Sequence, residues 1–196
     1  MLVPGAESVL AELWSPIAAL TAADGRRAGG LITSTAVTTS LLPEAPRVAV
    51  ILGRSQQTHE LVLASSAFAV HLLPAEPLER SLAIFKAFGF HSGREGDKLA
   101  QVPWHPGVTG APVIDEALAY AEARVVATLD ADDVTVVVGE VVAGERLRAG
   151  PHLTIDAVRG HLTSADWSAW EARRAEEIAA ARSLRATRGS EYIPCT

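Results

Sequence analysis

Six hydroxyl side chains, Thr33, Ser34, Thr35, Thr38, Thr39 and Ser40, crowd the end of the stretch Ala28 to Ser40 (AGGLITSTAVTTS), interrupted only by Ala36 and Val37. Small β-branched residues at this density favour an extended strand. Hydroxyls beside openly approached backbone N–H groups are what a phosphorylated, ring-bearing ligand needs from a wall. The competing reading is an ordinary Thr-rich strand with one wet face. A second group follows about a dozen residues later. The apolar run Arg47 to Leu52 ends in Gly53-Arg54-Ser55, and Thr58 lies at the start of a helix. A helix N-terminus holds phosphate through unpaired N–H groups and its dipole, and Arg54 adds a charge-assisted contact. Together the two groups fit a flat aromatic cofactor with a phosphate tail.

Other chemistries lack their residues. His59, His71, His91, His105, His152 and His161 form no compact pair at metal-ligand spacing. The single cysteine, Cys195, allows neither an internal disulfide nor a Cys-based zinc site or redox pair within one chain. There is no Gly-x-Ser-x-Gly elbow and no Walker-type loop; Asp132-Asp133 and Glu176-Glu177 read as a turn and a solvated helix face. A net charge of −6 with no basic run before the C-terminal helix argues against nucleic acid or an anionic membrane as partner. The 196 residues, 48% hydrophobic and 20% charged, predict one globular domain with a real core. No leader or membrane-length apolar run is read, so the expected location is cytoplasmic.

The elements that must position these residues follow from pattern. Glu7 to Trp14 reads as a short helix, Ile17 to Thr21 as a strand, and Asp24-Gly25 as a hairpin turn into a long strand from Arg26 to Thr39. Arg47 to Leu52 is a buried strand. Ser55 reads as the N-cap of a helix from Gln56 to Ala64, with Leu61 and Val62 inward. Phe68 to Leu73 is a strand, and Pro77 to Phe88 a helix with Leu78, Leu82 and Phe85 at core spacing. Gly89 to Pro112 reads as a long surface loop. Leu118 to Leu129 and Val134 to Val142 form the clearest hairpin, around Asp130 to Asp133. One more short strand is expected within Arg146 to Gly160. The last helix is capped by Ser164 and runs to about Arg185, with Trp167, Trp170, Ala175, Ile178 and Leu184 as its apolar side. The sum is mainly β with peripheral helices: a mostly antiparallel sheet, closed as a barrel.

The order of these pieces resembles the flavin reductase family of FMN-binding split barrels, over roughly Thr21 to Gly160. Thr33-Ser34-Thr35-Ala36-Val37 is similar to that family's Thr-Ala-Ser-Ala-Phe stretch, followed by Thr39-Ser40, the turn at Pro43, the strand Val48 to Leu52 and the Ser55/Thr58 segment. Phe68 to Leu73 resembles its F-x-V-N-x-L strand, with His71 at the Asn position. Trp104, Gly110-Ala111-Pro112-Val113 and Gly139-Glu140-Val141 complete the run. The resemblance implies a split β-barrel of the FMN-binding type over residues 21–162, with a lead-in at 1–20 and an extra C-terminal helix and tail at 163–196. It implies FMN, with FAD the alternative, lying along Thr33, Ser34, Thr35 and Ala36. Thr39, Ser40 and the segment Gly53, Arg54, Ser55 to Thr58 then hold the ribityl chain and phosphate. It implies a homodimer with the flavin near the subunit interface and NAD(P)H as donor. The acceptor is left open among free flavin, a small molecule and a partner monooxygenase. No side-chain acid or base is demanded, because the cofactor carries the chemistry.

Two departures bear on activity. Where many members carry Gly-Asp-His, this chain has Asp132-Asp133-Val134, and Val134 has neither proton nor lone pair to offer a nicotinamide. Arg159-Gly160-His161-Leu162 replaces the family's aromatic terminal strand, leaving His161 or Trp167 as substitutes over the flavin. The expected function is therefore an NAD(P)H:flavin reductase-like oxidoreductase. The alternatives are a flavin-binding protein that uses another donor or lacks NAD(P)H reductase activity, and a barrel dimer whose C-terminal helix docks a partner.

Overall fold

The computed structural model describes residues 16–188; the helix expected at Glu7 to Trp14 lies outside them. Seven strands form one antiparallel sheet: β1 (Ala18–Ala23), β2 (Ala28–Thr33), β3 (Val37–Thr38), β4 (Arg47–Gly53), β5 (Ala67–Leu72), β8 (Ala119–Ala131) and β9 (Val134–Arg146). Their order is β2-β1-β5-β8-β9-β4-β3. A separate two-stranded ribbon pairs β6 (Trp104–Pro106) with β7 (Pro112–Ile114). The helices are α1 (Gln57–Ser65), α2 (Leu78–Gly89), α3 (Ile155–Arg159) and α4 (Ser164–Arg188). The mainly β, antiparallel expectation is met.

β1 is buried on both faces because successive side chains point to opposite sides of a strand. Leu20 and Ala22 join an inner core with Leu31, Val50, Leu52, Leu61, Val62, Phe68, Ala123 and Val137. Ala19 and the preceding Ile17 join an outer core with Phe85, Phe88, Ile114, Leu153 and Val158. Leu61 and Val62 of α1 are both fully buried, as their spacing predicted. Gly30 is what lets α2 lie this close: a Cβ there would sit 2.6 Å from the Phe88 ring and 2.8 Å from the Leu20 carbonyl oxygen.

The strand expected to run unbroken from Arg26 to Thr39 is two strands on opposite ends of the sheet. β2 pairs with β1, and β3 pairs with β4. Side-chain hydroxyls break it, offering the backbone a partner other than the ladder. Asp24-Gly25 does turn the first hairpin, with Gly25 at φ +83° and the Asp24 carboxylate accepting from the Arg26 and Arg27 amides. These bonds, with the Arg27 guanidinium, hold Asp24 down at about 2.

Five other expectations are corrected. The residue at the N-cap of α1 is Gln56, not Ser55, and its side chain makes no cap bond. Gly89 to Pro112 is not all surface: Leu99, Val102 and Ala111 are buried, and the segment carries β6. Arg146 to Gly160 yields no new strand beyond an isolated Pro74–His152 bridge, but a short helix, α3, started by the Thr154 hydroxyl accepting from the Ala157 amide. Thr163, not Ser164, caps α4: its hydroxyl accepts from the Asp166 amide, while the Asp166 carboxylate accepts from the Thr163 amide. That is a reciprocal box. α4 docks through Trp170, stacked on Phe85 at 5.4 Å, and through Lys86–Asp166 at 2.8 Å. Ala175 and Ile178 face solvent, because the docked stripe follows Trp170, Arg173, Glu177, Ala181 and Leu184.

Candidate cofactor site

At the end of β2 the two threonine hydroxyls are fully committed. Thr33 Oγ1 accepts from the Thr35 amide at 3.0 Å and shares a proton with Thr35 Oγ1 at 2.8 Å. Thr35 Oγ1 accepts from the Ile51 amide at 3.0 Å and donates to the Ile51 carbonyl at 3.3 Å. One proton each satisfies this set only if Thr33 donates to Thr35. The lock joins the end of β2 to β4 and fixes residues 34–36 outside any strand. What this segment presents to a ligand is thus its main chain and the exposed Ser34, with Ala36 packed against the inner core.

The remaining expected residues divide between two places. Thr39 is exposed, its amide bonded to the Arg47 carbonyl at 2.9 Å. Ser40 Oγ closes a local turn with the Leu42 amide at 3.1 Å. At the β4–α1 turn, Gly53 donates to Gln56 Oε1 at 3.1 Å, and a Cβ on Gly53 would meet Gln56 Cδ at 3.2 Å. Arg54 turns to the β8–β9 tip, where Nη1 donates to both Asp130 oxygens (3.0 and 2.9 Å) and to the Asp132 carbonyl at 3.1 Å. Ser55 is half-buried. Thr58 is 4% exposed and lines a cleft between α1, β2 and α4.

That cleft contains residues the sequence reading passed over. Gln56 and Gln57 form one side, and Lys98, Trp170, Arg173 and Glu177 the other. Lys98 Nζ donates to the Gly30 carbonyl at 3.1 Å and the Phe88 carbonyl at 2.8 Å. Burial first, and then the Arg173 charge, push its ammonium down to about 8. Gln56 Nε2 donates to Glu177 at 3.2 Å, so α4 is tied to the β4–α1 turn. Arg185 adds a looser link to Asp132 at 3.7 Å. One sequence signal existed: Trp170, Arg173 and Glu177 recur at i, i+3 and i+7, so the charges share the tryptophan's face.

His71, at the family's Asn position, is a structural bridge. Fully buried, its Nδ1–H donates to the Ala19 carbonyl at 3.2 Å, and Nε2 accepts from the Ile114 amide at 3.2 Å. Burial lowers its pKa to about 4, keeping it neutral. His59 is likewise pushed down by burial and bonds Thr135 Oγ1 at 2.9 Å. Val134 opens β9 opposite Gly53, with no titratable group to offer. Among the described residues no three His, Cys, Asp or Glu side chains gather as a metal site, and no helix is long and apolar enough to cross a membrane.

Comparison with known proteins agrees with this architecture. The model of the "Flavin reductase like domain" family matches residues 10–157. A high molecular weight rubredoxin from Moorella thermoacetica is 32% identical over 136 residues, which cover 69% of this chain and 57% of that protein. The chain thus spans little more than half of that relative's length. A ferric-chelate reductase (NAD(P)H) from Archaeoglobus fulgidus is 33% identical over 132 residues, 67% of this chain and 75% of that protein. The crystal structure of an FMN-binding protein from Thermus thermophilus with bound p-hydroxybenzaldehyde superposes with a TM-score of 0.63 at 25% identity, covering 74% of this chain and 78% of that one. With three quarters of its length matched by the family model and a split-barrel sheet to position the site, the chain belongs to the flavin reductase-like domain family.

Proposed function

We propose that this protein is a flavin-dependent oxidoreductase that holds FMN with its ring along residues 33–36 and draws reducing equivalents from NADH or NADPH. Family membership supports the chemistry, and the names of the ferric-chelate reductase and the FMN-binding neighbour support the donor and the cofactor. The observation that carries the reading is the locked strand break, which presents the main chain of Ser34 to Ala36 beside an uncapped helix start. When bound, the flavin supplies a ring that accepts a hydride and passes electrons onward. The chain's own part is to bind and orient. The Thr33–Thr35–Ile51 lock fixes the backbone at the ring, and Arg54 anchors the β4–α1 turn to the hairpin through Asp130. Gly53 and Ser55 lie between segment 33–36 and the phosphate end at Thr58, whereas Thr39 and Ser40 stand on its other side, at the Arg47 end of β4.

We further propose a homodimer. On the outer face of the sheet Ile51, Val136 and Leu129 stand in one cross-strand row. Ile51 is 42% and Leu129 56% exposed, an apolar strip suited to a second copy. Leu129→Lys should yield a monomer in sedimentation equilibrium; an unchanged mass would remove this face from the interface.

Purified protein should show a flavin absorption spectrum, which NADH or NADPH bleaches without oxygen. A colourless protein that does not bind added FMN would overturn the flavin reading. A bound flavin that neither nicotinamide reduces favours the second reading, a flavin protein with another donor, which Val134 supports.

A further inference from the structure

The cleft at the phosphate end of the flavin path has a volume of about 60 Å³, with Leu31, Gln57, Thr58 and Lys98 among its walls. Lys98 has three protons and gives two to carbonyls, which leaves the cleft one N–H. There is room for roughly four water-sized groups, enough for a phosphate and too little for a nucleoside. The cleft is not closed, and the larger hollows that adjoin it differ in what their walls can bind. The one past Lys98 is bordered by Glu95 and Asp97, which repel a phosphate. The one outside α4 meets an indole already stacked on Phe85, Trp170, and an Arg173 already paired with Glu176 and Glu177. A third hollow, of about 280 Å³, is lined by Arg26, Ala28, Gln57, Gly93, Asp97 and Trp104. By the same measure it has room for on the order of twenty such groups, the size of a nucleoside.

This third hollow continues the flavin path. The cleft touches β2 at Leu31 and the hollow touches it at Ala28, about 10 Å further toward the β1–β2 turn. Gln57 and Gly93 belong to both spaces, and Gly93 lies so near the Gln57 carboxamide that a Cβ there would overlap its oxygen. One flexible amide therefore separates the two. The hollow's rim is open at Gly96, where a Cβ would touch nothing.

Its walls suit a phosphorylated purine. Trp104 is 39% exposed, and among the described residues its indole stacks on no ring and bonds to nothing. An open indole face is a platform for a base. Arg27 is paired with Asp24 and Glu60. The guanidinium of its neighbour Arg26 has no partner among the described residues, since only the Arg26 main-chain N–H goes to Asp24. A planar cation with free N–H groups matches a phosphate. Asp97, whose Oδ1 accepts from the Leu99 amide at 2.8 Å, gives ribose hydroxyls an acceptor.

We propose that the Trp104–Arg26 hollow is a subsite for the adenosine monophosphate half of a flavin dinucleotide, with adenine on Trp104 and the second phosphate at Arg26, so that the chain holds FAD more tightly than FMN. This rests on the flavin reading above, because the ring and first phosphate are common to both flavins, and it adds the group that tells them apart. The β1–β2 turn and the β6–β7 ribbon, neither of which reaches the ring segment, then set which flavin is kept.

The test is equilibrium binding of FAD, FMN and riboflavin to the full chain, followed by flavin and tryptophan fluorescence. Wild type should bind FAD about tenfold more tightly than FMN. Trp104→Ala should weaken FAD about tenfold, the value of one lost base stack, with FMN unchanged. Trp104→Phe, which keeps a ring face, should retain most of the FAD preference. Arg26→Gln should weaken FAD about threefold at low salt, and its difference from wild type should fade as salt rises, because the contact is an exposed ion pair. FMN affinity reports in each variant whether the ring site is still folded. Equal affinities for FAD and FMN in wild type, or a Trp104→Ala variant that keeps the full FAD preference, would overturn the subsite while leaving the flavin reading intact. An FMN loss in Trp104→Ala as large as its FAD loss would make Trp104 a structural residue and overturn the subsite too. No binding of any flavin to wild type would overturn the reading itself, and this inference with it.

Discussion

Thr35 and Thr58 carry the same hydroxyl into opposite roles. β3 is two residues long and pairs with Ala49 and Val48, so it stops short of Ile51. The edge-facing N–H and C=O of Ile51 would go unpaired there, and Thr35 Oγ1 takes both. Thr58 sits where its neighbours' main chain is turning into helix, and among the described residues no competitor claims its hydroxyl oxygen. An abundance of hydroxyls in a sequence therefore does not measure what is offered to a ligand. What decides is whether main-chain groups nearby already need those hydroxyls.

The contrast is broken most directly by removing the lock. Thr35→Val keeps the shape but strands the Ile51 amide, the Ile51 carbonyl and the Thr33 hydroxyl. Unfolding free energy in urea should fall by about 1–2 kcal/mol, since the Thr33 hydroxyl is left as a buried orphan while water takes up part of the loss at the exposed Ile51 groups. A variant as stable as wild type would mean that the lock contributes nothing and that Thr35 is free to serve a ligand.

The cleft side is sharpened by pH. Lys98 loses its charge near 8 in the empty protein, against an ordinary value of 10.5. The proton lost is the uncommitted one, because the neutral amine still satisfies the Gly30 and Phe88 carbonyls. Arg173 and Glu177 on α4, with Glu95 in the adjoining loop, are the charges acting on it, and His91 also lines the cleft. Below about 8 the ammonium is present and FMN affinity should be flat down to 7. Above 8 a proton must be taken up on binding, so affinity should fall by up to about tenfold per pH unit. Riboflavin, which lacks the phosphate, should show no such slope, nor should FMN with Lys98→Gln. A flat FMN profile for wild type from 7 to 9.5 would remove Lys98 from the site.

What was legible in the sequence is what local pattern decides. The run RVAVIL is the strand its apolar character predicted, though only Ala49, Val50 and Leu52 are buried while Arg47 and Ile51 are exposed, and the hairpin around Asp130 to Asp133 announced itself by alternation on both sides. Ordered motifs were enough to mark the family. The break at Ser34 was not legible, because it depends on a bond from Thr35 to a residue 16 positions away. The same holds for Arg54, which in the sequence looks like a phosphate ligand and in the fold holds Asp130, 76 positions on. Lys98 was unreadable for the converse reason, and Arg173 was marked only by sharing the face of Trp170. Each looks like an ordinary surface cation until β2, α1 and α4 are brought together. α3 was misread because five residues are too few for helical periodicity to show.

The smallest expected effect tests the other half of the contrast. Thr58→Val removes an oxygen that bonds to none of the described residues, so stability should change by no more than about 0.5 kcal/mol. A slight gain is reasonable, since the site is otherwise buried and the methyl is apolar. FMN affinity should nevertheless drop by about tenfold, the low end for one hydrogen bond to a charged acceptor, with riboflavin unaffected. The pairing of outcomes is what carries the argument. Thr35→Val should cost stability, whereas Thr58→Val should cost phosphate binding at unchanged stability. If Thr58→Val destabilised the fold as much as Thr35→Val, its hydroxyl would have a structural partner, and the two ends of the proposed cofactor path would be built on the same principle after all.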